Sequence, residues 1–178
     1  MLKLLQNIEI FEVIYMFKIG DYVVNLKNGV CKIEDILNMN LSGESKEYYL
    51  LIPQNEQNAK VYIPVDAADS RIRLTMDKEQ AMALIKKMKD IEEISIENEK
   101  ERERVYKEIL NSRNPELLVS IIKTLYLRKQ DRVKEGKKNT AVDEHYFKLA
   151  EKHLCKELAF VLQISQQELD EMILKNIE

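Results

Sequence analysis

A strand-and-turn pattern near the N-terminus constrains the fold of this 178-residue chain more than any other feature. A hydrophobic, a basic and a second hydrophobic residue at Phe17-Lys18-Ile19 precede Gly20-Asp21, and the β-branched pair Val23-Val24 follows. Asn28-Gly29 then stands where the strand must turn. This dipeptide is typical of a type I′ turn, because both central residues of that turn need a positive φ. The sequence therefore predicts a tight β-hairpin from residue 22 onward.

Apolar runs with strand-like patterns continue as far as residue 74. They predict strands at 22–26, 30–37, 46–52, 61–63 and 71–74, separated by short polar turns. Pro64 ends the fourth strand, because proline cannot donate to a sheet ladder. Five short strands joined by tight turns are typical of a small barrel. We therefore expect an SH3-like or Tudor-like β-barrel in this part of the chain.

After residue 75 the hydrophobic spacing changes from two to about three and a half residues, the period of an amphipathic helix. Residues suited to a helix N-terminus predict helix starts near Asp77, Asn98, Asn114, Thr140 and Ser165. The predicted fold class is therefore α+β, with a small SH3/Tudor-like β-barrel of about five strands followed by a compact all-helical domain of about five helices. We place the β-domain at 16–75 and the helical domain at 76–178.

The first fifteen residues include eight leucine, isoleucine, valine and phenylalanine residues but do not resemble a membrane segment. Glu9 and Glu12 interrupt the run, which is too short to span a bilayer and has no small-residue cleavage site after it. Met16 stands immediately before the strand pattern. We expect residues 1–15 to be a dispensable extension or the product of a mis-assigned start codon, with Met16 as the native start.

Charge is distributed unevenly along the chain, although the net charge is only −3. Twelve basic and six acidic residues lie between Lys100 and Lys138, whereas acidic residues predominate elsewhere. Charge alone therefore does not predict tight nucleic-acid binding by the whole chain, but a local basic face could follow a phosphate backbone. The alternative is an ordinary solvated helix face, in which the glutamates pair with the lysines and arginines at helical spacing.

The sequence offers no constellation of residues suited to catalysis or metal binding. Cys31 and Cys155 lie too far apart for a redox or metal motif and are expected to be reduced thiols. His145 and His153 are eight residues apart, so a helix places them two turns from each other. We find no phosphate-binding glycine loop and no nucleophile with a positioned base. We expect a non-enzymatic protein with no cofactor, no metal, no membrane contact and no small-molecule substrate.

Many short motifs, none of which is diagnostic alone, follow one another in a fixed order along residues 16–162. They are Phe17 to Asp21 and Gly29; Glu44, Lys46, Glu47, Tyr48 and Leu51; Ile63 and Pro64; Arg104, Tyr106, Lys107 and Leu110; Leu125 to Arg128; Thr140 and Asp143; and Ala150, Leu154, Glu157, Leu158 and Ala159. In these motifs and their order the chain resembles the CarD family of bacterial RNA-polymerase-binding transcription regulators.

This resemblance implies that the β-domain docks on the RNA polymerase β subunit by extending a sheet, and that the helical domain contacts promoter DNA. Binding the melted promoter better than the closed one would shift the equilibrium toward the open complex. The protein would then be cytoplasmic, associated with the nucleoid through polymerase. The expected polymerase contacts are Met39, Lys46, Tyr48, Tyr62 and Ile63, and the expected DNA contacts are Arg102, Arg104, Lys107, Arg128, Lys129 and Arg132.

The sequence departs from the family at two places. Many relatives insert a tryptophan into the minor groove, whereas this chain has none and carries about Arg102 at the matching position. Met39 and Tyr62 stand where relatives have basic residues on the polymerase-facing strands. These departures leave an alternative function open, that of a protein adaptor whose β-domain docks polymerase or another partner without direct DNA contact.

Overall fold

The computed structural model describes residues 15–40, 43–56, 58–96 and 98–177. Residues 1–14, most of the predicted extension, lie outside this described part. Five strands precede five helices. The strands are β1 (Tyr22–Asn25), β2 (Gly29–Asn40), β3 (Ser45–Pro53), β4 (Val61–Pro64) and β5 (Ile72–Leu74), and the helices are α1 (Lys78–Lys87), α2 (Arg102–Ser112), α3 (Pro115–Lys134), α4 (Ala141–Leu162) and α5 (Gln166–Ile177).

The strands form one antiparallel sheet in the order β4-β3-β2-β1-β5. Side chains alternate between its two faces, as the pleat requires. On β3, Tyr49 and Leu51 are fully buried, whereas Tyr48 and Leu50 on the opposite face are half-buried. This sheet and the helices that follow confirm the predicted α+β class with an N-terminal β-domain.

A β-bulge near the middle of β2 keeps its apolar residues on the correct face. The register shifts between Ile33 and Asp35, with Glu34 as the extra residue. Ile33 pairs with Leu51 and Ile36 with Tyr49, so both isoleucines contact the core although they are three residues apart. Without the extra residue, the period-two alternation would turn Ile36 to the outer face.

The turn of the first hairpin differs from the predicted type I′ turn. Asn25 pairs with Gly29, so the loop has three residues, and only Gly29 in this hairpin has a positive φ, at 71°. The side chain of Asn25 accepts hydrogen bonds from the N–H groups of Lys27 and Asn28, at 3.1 and 3.2 Å. This Asx-type turn leaves Asn28 with an ordinary backbone conformation. The predicted type I′ geometry was therefore wrong.

The segment before β1 packs on the β-domain core through aromatic contacts. The rings of Tyr15 and Phe17 lie 6.4 and 5.9 Å from that of Tyr49, each edge to face. Tyr15 donates a hydrogen bond to Glu47 at 2.7 Å, and the backbone N–H of Phe17 donates to the Tyr49 hydroxyl at 3.3 Å. Tyr15 thus contributes to the folded domain, although the predicted extension includes it.

The helices bury a second core and begin mostly where the sequence predicts. Asp77 and Gln80 form a reciprocal capping box at α1, as Ser165 and Glu168 do before α5. Asn114 caps α3 and Thr140 caps α4. The second helix starts at Arg102 rather than near Asn98, because the Asn98 side chain accepts from the N–H of Lys100 and closes a turn there.

Buried polar contacts join the β-domain to the helical domain. Glu157 of α4 is 1% exposed and accepts two hydrogen bonds from Arg73 of β5, at 2.7 and 2.5 Å, and one from the Met76 backbone at 2.9 Å. Arg73 also donates to the carbonyl of Arg113 at 2.6 Å, and Arg113 in return donates to the carbonyl of Ile72 at 2.9 Å. These bonds fix β5 against the helices.

Among the helices described here, none is both long enough and apolar enough to span a bilayer.

Candidate protein-docking and nucleic-acid interfaces

Four of the five predicted polymerase contacts share one surface of the sheet, which we call the outer face. It consists of Leu37 and Met39 on β2, Lys46, Tyr48 and Leu50 on β3, and Tyr62 on β4. Met39 lies directly opposite Lys46, and Leu50 lies directly opposite Tyr62. Tyr62 is 40% exposed. Asp35 of β2 pairs with Leu50 and shares this surface, so the outer face is largely apolar, with one carboxylate and one lysine.

The fifth predicted contact, Ile63, lies on the opposite face of the sheet. It pairs with Tyr49 and is 5% exposed in the β-domain core. Ile63 follows Tyr62 in β4, and the side chains of successive residues in a strand point to opposite faces. Ile63 therefore cannot offer its side chain to a partner, so its assignment as a surface contact is corrected to a core position.

β4 is an edge strand of the sheet. In the described ranges it pairs with β3 only, so alternate N–H and C=O groups along its other side have no strand partner. Such an edge can pair with a strand of another protein. Tyr62 lies on this strand and adds an aromatic side chain beside the open edge.

Leu37 and Leu50 complete the outer face but were absent from the sequence-based prediction. Leu50 could have been found, because it is two residues from Tyr48 on one strand and alternation assigns both to one face. Leu37 follows the β-bulge, which changes the phase of β2. A simple alternation from Ile33 would have placed Leu37 on the core face.

Two of the predicted DNA contacts, Arg102 and Arg128, meet around a buried aspartate. Asp143 of α4 is fully buried, and its carboxylate lies 3.8 Å from Arg102 Nε and 3.6 Å from Arg128 Nε. Glu99 accepts two hydrogen bonds from Arg128, at 2.7 and 3.0 Å, and one from Arg102 at 3.0 Å. We call Glu99, Arg102, Arg128 and Asp143 the arginine cluster.

Electrostatics in the arginine cluster favour the paired state. Hydrogen bonding to Arg128 lowers the pKa of the Glu99 carboxyl, and that interaction raises the pKa of Arg128. Tyr106 donates a hydrogen bond to Asp143 at 3.2 Å, and burial raises the pKa of Tyr106 to about 12. Both arginines are therefore charged and largely compensated by carboxylates, rather than free to meet a phosphate.

The other four predicted DNA contacts have different surroundings. Arg104 pairs with Glu101 at 2.5 Å and Glu108 at 2.6 Å, and Lys107 pairs with Glu103 at 3.0 Å. Arg132 donates to the carbonyl of Lys138 at 2.8 Å near the end of α3. Lys129 is exposed and, within the described residues, forms no ion pair. The predicted set is thus spread over α2 and α3.

The described residues contain no group of three or more histidine, cysteine, aspartate or glutamate side chains placed to hold a metal ion. Cys31 is buried and Cys155 is partly buried, and burial raises the pKa of each thiol to about 11. Neither thiol is thus activated as a nucleophile. His145 and His153 line a cleft between the two domains, together with residues of the first hairpin turn.

Comparison with known proteins identifies the β-domain. The family described as "CarD-like/TRCF RID domain" matches residues 17–76, which include all five strands. No curated protein shows significant similarity to the chain. The matched domain is an RNA-polymerase-interacting, non-enzymatic protein-interaction domain. Residues 17–76 therefore match the CarD-like RNA-polymerase-interaction domain, and this match supports an RNA-polymerase-interacting, transcription-related role for the chain.

Proposed function

We propose that the protein docks on the β subunit of RNA polymerase through the open edge of β4 and the adjoining outer face. The observation that carries this proposal is the exposed edge strand within the matched family domain. Main-chain hydrogen bonds along an added strand would supply affinity, and side chains of the outer face would supply specificity. Such an association would keep the protein in the cytoplasm, on transcribing or initiating polymerase.

The chemistry of this surface predicts a contact that depends mainly on apolar side chains. Tyr62 is 40% exposed, Tyr48 and Leu50 are half-buried, and the outer face carries one charge of each sign, on Lys46 and on Asp35. Exposed aromatic residues at the centre of an interface often contribute most of its binding energy. Polymerase binding should therefore depend only weakly on salt, because screening mainly weakens contacts between exposed charges.

The test compares two tyrosine variants in binding to purified RNA polymerase β subunit. Tyr62→Ala removes an aromatic from the proposed interface, and Tyr126→Ala removes one of similar exposure, 51%, from α3. Truncating an interface aromatic costs about 2 kcal/mol, so Tyr62→Ala should weaken binding roughly thirtyfold. Tyr126→Ala should bind like the unchanged protein. Equal affinities for the two variants would remove the basis for this docking surface.

The helical domain then has two candidate roles. In the first it contacts promoter DNA and modulates open-complex stability, as the family resemblance implies. The second is an adaptor role without DNA contact, which is favoured by one observation: both arginines of the arginine cluster, together with Arg104 and Lys107, are paired with carboxylates. For the first role, phosphate groups would have to displace those carboxylates, Glu99 above all.

Glu99→Gln distinguishes the two roles, because it removes the exposed one of the two carboxylate charges that hold Arg102 and Arg128. If these arginines contact DNA, the variant should bind duplex promoter DNA more tightly in the presence of polymerase, with a steeper salt dependence. Two added phosphate contacts would change the slope of log K against log salt by about 2. The control Glu116→Gln breaks an exposed pair with Lys87 outside the predicted set. Unchanged DNA binding by Glu99→Gln supports the adaptor role.

A further inference from the structure

A cleft of about 450 Å³ lies between the two domains and contains no residue of the outer face or of the arginine cluster. Of the predicted DNA contacts, Lys107 lines it, with its amine paired with Glu103. The turn of the first hairpin and the turn after β3 form one side. One stripe of α4 forms the other, with His145, Leu149, Lys152 and Lys156 at intervals of three or four residues. Volumes of this size are typical of small-ligand sites.

Positive charge predominates in the cleft. Lys27 comes from the hairpin turn, whereas Lys152 and Lys156 lie one turn apart on α4. Among the described residues these three amines form no salt bridge, and Glu56 is the single carboxylate of the lining. Like charges four residues apart destabilise a helix slightly, and a bound anion would offset this repulsion. All three lysines are exposed, so an anion from solvent can reach their amines.

Two histidines and an apolar surface also line the cleft. His153 is half-buried, and its pKa is lowered by burial and then by the neighbouring amines of Lys152 and Lys156. Tyr146 and the exposed ring of His145 lie next to each other, 5.1 Å apart, and leucines complete the apolar part of the wall. The cleft thus combines unpaired amines with an apolar and aromatic surface.

We propose that this cleft binds phosphate groups through Lys27, Lys152 and Lys156. Phosphate oxygens would accept charge-assisted hydrogen bonds from the three amines, and the carbon skeleton that carries them would contact Leu149 and His145. The phosphates have two possible sources with the same chemistry: a free polyphosphate compound of nucleotide size, or the backbone of nucleic acid. The site is distinct from the proposed polymerase contact and does not depend on it.

The test measures binding of tripolyphosphate, ATP and a 20-base-pair duplex to the full chain by calorimetry at low salt. Lys152→Gln and Lys156→Gln should each weaken phosphate binding roughly tenfold, since one charge-assisted hydrogen bond is lost. Lys86→Gln is the matched control, because Lys86 is an exposed lysine of α1 that forms no salt bridge in the described part and lies outside the cleft lining. Imidazole NMR signals of His145 and His153 should shift on binding.

Each outcome decides the proposal. Saturable binding of tripolyphosphate or ATP that is weakened by the α4 variants supports a small phosphorylated ligand. Binding of the duplex alone, with the same sensitivity, supports the site with nucleic acid as the source. Absence of binding by all three probes overturns the proposal. So does binding that Lys86→Gln weakens as much as Lys152→Gln, or that leaves both imidazole signals unmoved.

Discussion

The buried bridge between Arg73 and Glu157 should be highly sensitive to the loss of either partner. Glu157 is 1% exposed, and its carboxylate accepts three hydrogen bonds, all from β5 and the segment that follows. Arg73→Met leaves this carboxylate buried without a counter-charge. Breaking a buried pair from one side costs about 3–5 kcal/mol, because the remaining charge lacks both its partner and water.

Two further variants separate the pair from its parts. Glu157→Gln keeps the shape and some hydrogen bonds, and Arg73 retains 23% of its side-chain exposure, so we expect a loss near the lower limit, about 3 kcal/mol. The double variant Arg73→Met/Glu157→Leu buries no unpaired charge and should be more stable than Arg73→Met alone. The expected coupling between the two sites is at least about 1 kcal/mol.

Urea denaturation followed by circular dichroism measures these free energies. Thermal unfolding gives a second measurement. In a chain of this size each kcal/mol of lost stability lowers the midpoint temperature of unfolding by about 2–4 °C, so Arg73→Met should unfold at a temperature roughly 6–20 °C lower. A loss of less than about 1 kcal/mol in Arg73→Met, the range of an exposed pair, would refute the buried-pair interpretation. Losses of the two single variants that simply add in the double variant would refute it too.

Three other predictions concern groups whose environment differs from water. The pKa of His153 is lowered, so the folded state binds fewer protons than the unfolded state. Stability should therefore fall as the pH drops below about 6.5, by at most about 1.4 kcal/mol per pH unit. This fall should be smaller in His153→Gln when unfolding is measured from pH 7.5 to 5. Burial raises the pKa of Cys31 and Cys155 to about 11, so both thiols should react slowly with iodoacetamide at pH 8 and rapidly in urea; fast modification of the native protein would contradict this. Tyr49→Phe removes the hydroxyl that accepts from the Phe17 N–H, which should cost about 1–3 kcal/mol in chemical denaturation, whereas unchanged stability would show that this bond is dispensable.

Local signals in the sequence predicted most of the elements. Asp77 with Gln80, Asn114 with Pro115, and Thr140 each mark the start of a helix, because capping depends on residues within one turn of each other. Strand predictions ended within three residues of the observed ends. Where prediction of local structure failed, as at Asn28, another local bond competed: the Asn25 side chain closes the turn instead.

The surroundings of the candidate site residues could not be predicted in the same way. Arg128 and Glu99 are 29 residues apart, and Asp143 reaches both arginines of the cluster from a different helix. The basic segment from Lys100 to Lys138 was therefore a candidate for DNA contact in the sequence, although the fold brings Arg102 and Arg128 to carboxylates that are distant in the sequence. The face of Ile63 was open to prediction, because alternation from Tyr62 assigns it to the core.

The polar contacts between β5 and α4 determine how the helices are oriented relative to a partner bound at the sheet. Only residues 75–77 separate β5 from α1, and Met76 among them is itself tied to Glu157. A flexible linker would let the helices sample a volume around the docked sheet and would dilute their local concentration. Here that freedom is already lost when the chain folds. A partner bound at β4 would therefore have the helices, and the cleft beside them, in one fixed orientation relative to itself.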